Sequence, residues 1–219
     1  MVRPPQPAVP VTMIAAALAL ASFAARPALA APSEDRASLR LDAAPPVVQP
    51  SDEPAAPPPF GEKGSWWWSV GGGAAFGDPT TDGNYSANFE LHTFLVDQFE
   101  LGLEFGGTFF NQHRQNDAIG GNFNLNFRWH FISKERYTVF AEAGAGLLLA
   151  TDEVPNGGSE FNFTPRAGMG MTWRFGEGPA RLMFGVRWQH ISNGRTQGGA
   201  DRNPGTNNAM VYASILFPF

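Results

Sequence analysis

The chain of 219 residues contains no cysteine, which excludes a disulfide framework, a thiolate metal site and a cysteine nucleophile. Charge is scarce as well: Asp, Glu, Lys and Arg make up 16% of the residues, against roughly 25% in an ordinary soluble domain. The balance is acidic, with a formal charge of −5 and a pI near 5.3, and it leaves no basic footprint for nucleic acid. Long apolar runs are also missing. The main one, Met13–Ala25, falls short of the ~20 residues that a spanning helix needs. A membrane location for this chain therefore requires strands closed into a barrel.

The same short run follows Arg3 and precedes Ala28-Leu29-Ala30. A basic start, a short apolar stretch and a small-residue cleavage site make a secretory signal peptide over residues 1–30, removed on export. Residues 31–64 carry eight prolines among Ala, Asp, Glu and Ser. That composition buries little and predicts an extended, disordered periplasmic tether.

From residue 65 to 219 the abundant features are aromatic residues and glycine, set in short alternating runs. In "FNLNFRWHF", Phe123, Leu125, Phe127, Trp129 and Phe131 share one face, and Asn124, Asn126, Arg128 and His130 share the other. A strand has period two, so one side is apolar and one polar. The apolar side is bulkier than the interior of a small barrel can hold, while the polar side suits a hydrogen-bonded lumen. Phe99 to Phe109 and Phe161 to Phe175 repeat the pattern. Inward Glu90, Glu100, Glu104 and Glu142 are expected to pair with Arg128, Arg166, Arg174 and Arg187, with glycines leaving room.

Strands are predicted near 66–76, 85–96, 99–110, 121–131, 137–149, 161–175, 181–192 and 207–219. Each suffices to cross a bilayer when tilted, which takes ~9–11 residues. Short connections at 97–98, 132–136 and 176–180 alternate with longer polar ones, as periplasmic turns alternate with external loops in outer-membrane barrels. Trp66, Trp68, Trp129, Trp173 and Phe219 supply an interfacial girdle. The expected fold is all-β: an eight-stranded antiparallel transmembrane barrel in the bacterial outer membrane, with its N-terminus periplasmic. The competing fold, a soluble lipocalin-like barrel, places the apolar residues inside.

Parity then sorts the C-terminal residues. In "RLMFGVRWQHIS", Leu182, Phe184, Val186 and Trp188 lead on to His190 and Ser192, which places both on the lipid-facing side at the external end. On the last strand Phe219, Phe217, Ile215, Ala213, Val211 and Ala209 lead to Asn207 on the same rim. A polar group facing lipid is costly unless paired. Residues i and i+2 of a strand lie ~6.5–7 Å apart, a gap that an imidazole can bridge to a hydroxyl. A serine needs such a base, and the base needs a third group to fix its tautomer.

"HISNG" at 190–194, then "NPG" at 203–205, with the chain closing soon afterwards on an aromatic, resembles the PagL family of lipid A 3-O-deacylases, eight-stranded outer-membrane esterases. The resemblance implies Ser192 as nucleophile and His190 as general base. It implies an oxyanion hole from Asn203 and backbone N–H groups around Gly194. The substrate it implies is an ester-linked acyl chain on lipid A of lipopolysaccharide, reached from the surrounding outer-membrane lipids without metal or organic cofactor. A homodimer is compatible with it.

One position departs from the pattern: the family has a glutamate two residues past the Asn-x-Gly turn, and here that residue is Asn207. Asparagine can hold the imidazole N–H but cannot stabilise imidazolium as a carboxylate does. Asp201 in the same loop is a substitute acid by position; Asp152 and Glu160 are more distant ones. Two non-enzymatic alternatives stand beside the esterase: a structural or adhesive barrel that binds lipopolysaccharide, and a small pore.

Overall fold

The computed structural model describes residues 59–77, 81–113, 115–197 and 203–219, and among these nine strands form one antiparallel sheet. They are β1 (Trp66–Phe76), β2 (Thr81–Val96), β3 (Phe99–Gln112), β4 (Ala118–Ser133), β5 (Tyr137–Val154), β6 (Ser159–Phe163), β7 (Arg166–Arg174), β8 (Arg181–Ile191) and β9 (Thr206–Pro218). β1 pairs with β9 as well as β2, and β4 pairs with β5, so the sheet closes on itself. β6 and β7 are one stave: Leu147 opposite Phe163 and Gly144 opposite Arg166 continue a single register along β5. The ring therefore has eight staves, the barrel expected from sequence.

The break in the sixth stave falls at Thr164-Pro165, because proline has no N–H to give the ladder. Its neighbours hold the register. Thr164 N–H donates to Gly146 O at 2.9 Å, and Pro165 O accepts from His190 N–H at 2.9 Å. The expected 161–175 strand is this interrupted stave.

Several strands run past their expected external ends, β5 by five residues to Val154. The external connections shrink accordingly to 77–80, 113–117 and 155–158. Polar residues there sit on strands that rise beyond the hydrocarbon, where an outward polar face meets water at no cost. The export signal expected at 1–30 and the expected tether as far as Pro58 lie outside the described residues. The end of the tether differs from the disordered segment expected. Gln98 N–H donates to Gly61 O at 2.8 Å, and the Phe60 ring lies edge-on to Trp67 and Phe94 at 5.1 and 5.0 Å. A single aromatic side chain supplies enough apolar surface to anchor Pro59–Gly64 against the periplasmic end of the barrel.

Alternation along β4 decides the inside from the outside. Phe123, Leu125, Phe127, Trp129 and Phe131 are exposed, and Asn124, Asn126, Arg128 and His130 are buried. This is the reverse of a soluble barrel, and such a continuous apolar exterior is what a bilayer covers. Trp66, Trp129, Trp173 and Phe219 lie exposed near the periplasmic ends of their strands, with Trp68 stacked on Phe217 at 4.8 Å.

Inside, charge is neutralised in the middle and covered by apolar layers. Arg128, fully buried, donates from Nη2 to Glu90 at 2.9 Å, from Nε to Glu142 at 3.1 Å and from Nη1 to Glu100. Arg166 holds Glu104 at 2.8 Å, and Arg187 lies 3.1 Å from Glu142. Trp67, Phe94, Phe140, Met183 and Leu216 pack toward the periplasmic side, and Phe110, Leu148, Val154 and Ile191 toward the external side. Such a filled interior does not favour the pore. Arg174 departs from the expected pairing: at the periplasmic end of β7 it reaches Glu135 of the turn at 2.8 Å, too far along the axis for the central carboxylates.

Removing a cation from a buried network leaves its carboxylates uncompensated, at a cost of about 3–5 kcal/mol. Arg128→Met is therefore expected to lower the stability of the barrel in lipid vesicles by about that amount. Urea unfolding followed by tryptophan fluorescence measures it; an unchanged midpoint would remove the network from the account.

Candidate active site

The external ends of β6, β8 and β9 bring the polar rim together. β8 reaches it with Trp188 and His190 on the outward face, while Ile191 between His190 and Ser192 is buried in the apolar layer of the lumen. Ser192 lies just past β8 but keeps strand geometry: its N–H donates to Phe163 O at 3.2 Å, and its O accepts from Phe163 N–H at 2.8 Å. This bridge continues the β7–β8 register, so His190 and Ser192 stay on one side.

On the other flank, His190 stands directly opposite Asn207 of β9. His190 Nδ1 and Asn207 Oδ1 are 3.0 Å apart. An amide oxygen only accepts, so with the amide in this orientation His190 donates from Nδ1. Trp188 donates from its indole Nε1 to the same Asn207 Oδ1, also at 3.0 Å. The indole and imidazole rings lie nearly parallel, 22° apart, with centroids 6.0 Å apart.

The gap between the imidazole and the serine is kept open by Gly205. A Cβ there would lie 3.1 Å from His190 Cε1, 3.4 Å from Nε2 and 3.5 Å from Ser192 Cβ. Its φ of +40° also falls in the left-handed region that favours glycine. His190 Nε2 and Ser192 thus border one small space, although no hydrogen bond joins them among the described residues.

A short turn follows Ser192. Asn193–Thr196 is a tight turn with positive φ at Gly194 and Arg195; Thr196 N–H donates to Asn193 O at 3.1 Å, and Arg195 N–H to Asn193 Oδ1 at 2.9 Å. Asn203 Oδ1 accepts from Asn193 N–H at 3.0 Å, which pins Asn203 beside the turn and leaves its amide NH2 pointing elsewhere. The Asn193 N–H is therefore occupied. Gly194 lies against the Phe163 ring, 3.4 Å from where a Cβ would sit.

Of the carboxylates considered as a third member, Asp201 lies outside the described residues. Asp152, near the external end of β5, accepts instead from Asn116 Nδ2 at 3.2 Å, and Glu160 is exposed on β6. Among the described residues, the side-chain hydrogen-bond partner of His190 is Asn207, a neutral one. Below the cluster, Met169, Val186, Trp188, Asn207, Ala209 and Val211 line a groove on the lipid-facing side. Sequence parity counted Trp188 among the apolar outward residues and overlooked its N–H. Gly205 was visible only as part of the Asn-Pro-Gly turn.

The family model described as lipid A 3-O-deacylase (PagL) matches residues 83–215. Among solved structures, the chain is similar to Neisserial surface protein A (NspA), at 11% identity and a TM-score of 0.53, over 71% of this chain and 96% of that one. It is also similar to the outer membrane protein OprG from Pseudomonas aeruginosa, at 13% identity and a TM-score of 0.47, over 73% and 98%. Neisserial surface protein A shares the fold and bears on nothing else. A comparison with curated protein sequences found no match.

Filling the gap at Gly205 is expected to separate base and hydroxyl. Gly205→Ala should slow covalent labelling of Ser192 by a fluorophosphonate about tenfold or more, since small misplacements cost that much. Mass spectrometry of the labelled protein follows the rate, and an undiminished rate would show that the space between His190 and Ser192 does not matter.

Proposed function

Because the chain belongs to the PagL family of lipid A 3-O-deacylases, we propose that it hydrolyses an ester-linked acyl chain of lipid A from within the outer membrane, using Ser192, His190 and Asn207. The observation that carries this reading is the outward imidazole, held through Nδ1 by Asn207 with Nε2 facing the space beside Ser192. On this reading the rim stands level with the ester linkages of outer-leaflet lipids. The groove under Trp188 offers an apolar bed for the departing acyl chain.

The chemistry runs in two halves. Ser192 Oγ attacks the acyl carbonyl as its proton passes to His190 Nε2. The oxyanion collects donors from the Asn203 amide and the Gly194 N–H, interactions worth several kcal/mol each when preorganised. The tetrahedral intermediate collapses with loss of the sugar oxygen, which takes the proton from Nε2 and leaves as the free hydroxyl. Water, deprotonated by the same nitrogen, then attacks the acyl-serine and releases the fatty acid and the regenerated hydroxyl. Asn207 keeps the tautomer through both halves, but its neutral amide stabilises the transient imidazolium less than a carboxylate would.

Lipid A extracted from cells producing the protein is expected to lose the mass of one hydroxyacyl group, and Ser192→Ala to abolish the loss. An unchanged spectrum with folded barrel in the membrane would favour the lipopolysaccharide-binding barrel instead. Asn207→Glu is expected to raise kcat, by about tenfold, since a carboxylate beside imidazole favours its charged form. An unchanged kcat on that substitution would remove Asn207 from the catalytic group.

A further inference from the structure

Asparagine brings a difficulty to a catalytic group that a carboxylate does not. The two oxygens of a carboxylate are equivalent, whereas the amide has an accepting end and a donating end. Rotated by half a turn, Asn207 would present NH2 to His190. The imidazole can adapt to that by moving its proton to Nε2 and accepting at Nδ1. In that state Nε2 has no lone pair and cannot take the proton of Ser192. The His190–Asn207 contact alone is therefore nearly indifferent to which way the amide faces.

A third group breaks the tie. The Trp188 indole N–H lies 3.0 Å from Asn207 Oδ1, the same atom that faces His190 Nδ1. An indole N–H can only donate, and it has no second tautomer to offer. A flipped amide would set donor against donor across that contact, at a lipid-facing rim where competing water is scarce and an unmade hydrogen bond is costly. Trp188 and His190 also stand two residues apart on one face of β8, with Asn207 across on β9, so all three are held by the strand ladder.

We propose that Trp188 is a positioning residue: its N–H locks the Asn207 amide with the oxygen toward His190, which keeps the imidazole in the Nδ1–H form that can serve as base. The proposal rests on the esterase reading, and it makes Trp188 necessary because residue 207 is an asparagine. With a carboxylate in that place the lock is redundant.

The test compares Trp188→Phe in two backgrounds, with lipid A in mixed micelles as substrate. In the parent, kcat is expected to fall about tenfold with KM unchanged, which is the worth of about one hydrogen bond. In Asn207→Asp, the same change is expected to cost less than about twofold, since no amide remains to flip. Equal losses in both backgrounds would mean that Trp188 acts through packing or membrane anchoring, and would overturn the lock. Nitrogen-15 NMR of the imidazole, assigned by loss of the His190→Gln signal, reads the tautomer without any substrate. The parent is expected to show Nδ1–H, and Trp188→Phe a mixture of both forms; an unchanged Nδ1–H form would again overturn the lock. Incorporation of β-(3-benzothienyl)alanine at Trp188 removes the N–H while keeping the ring, and should reproduce both effects if the phenylalanine variant folds poorly. A parent that releases no acyl chain, yet shows the tautomer shift, would sink the esterase reading and leave the lock standing.

Discussion

The constraint from which this structure follows is that hydrocarbon offers no partner to a backbone N–H or C=O. Every such group must be paired within the protein, and a sheet can manage this only by closing. Closure then removes most choice about side chains: along each stave alternate residues face lipid and lumen, except at irregularities such as that between Trp129 and Ile132, where Phe131 and Ile132 are both exposed. Bulky apolar residues cover the outside, and the charged residues that remain are driven into a lumen where they must neutralise one another. The Arg128 cluster is the result, with three carboxylates around one guanidinium. It makes the barrel a solid scaffold. His190 and Asn207, paired across β8 and β9, break the same rule on the outer face, with Ser192, itself buried, on the same side of its strand just beyond them.

That rule also explains how much was legible beforehand. Period-two alternation is strong in β4, β7 and β8, so the number of staves, their direction and the side each residue faces could be read from residues alone. The external ends of the strands could not, because beyond the bilayer a polar outward residue carries no information about pairing. Pro165 hides a break in the ladder that leaves the register intact, and only coordinates separate those two facts. Phe60 was overlooked because the prolines around it dominate the composition of its segment. Arg174 has the parity of a lumenal charge, but its height along the axis puts it at the turn with Glu135. Parity assigns a face and never a depth.

At the site the same limit recurs. Parity placed imidazole, hydroxyl and amide on one rim, and the register of β8 with β9 sets His190 opposite Asn207. What alternation could not express is a hydrogen bond made by a residue already counted as apolar. Trp188 serves the membrane with its ring and Asn207 with its N–H, and only the second use bears on chemistry. Gly205 likewise matters for what it omits. A group of this kind is assembled from neighbouring staves rather than carried on a loop, so its spacing is inherited from the sheet and needs little further support.

The central claim is that the His190 and Ser192 side chains point into the bilayer at its external edge. Nitroxide labels placed singly at residues 187 to 193 in vesicle-embedded barrel report this through their collisions with dissolved oxygen, which concentrates in lipid. The account predicts a period-two profile with maxima at 188, 190 and 192 and minima at 189 and 191. Maxima at 189 and 191, or a profile with no alternation beyond 188, would contradict it.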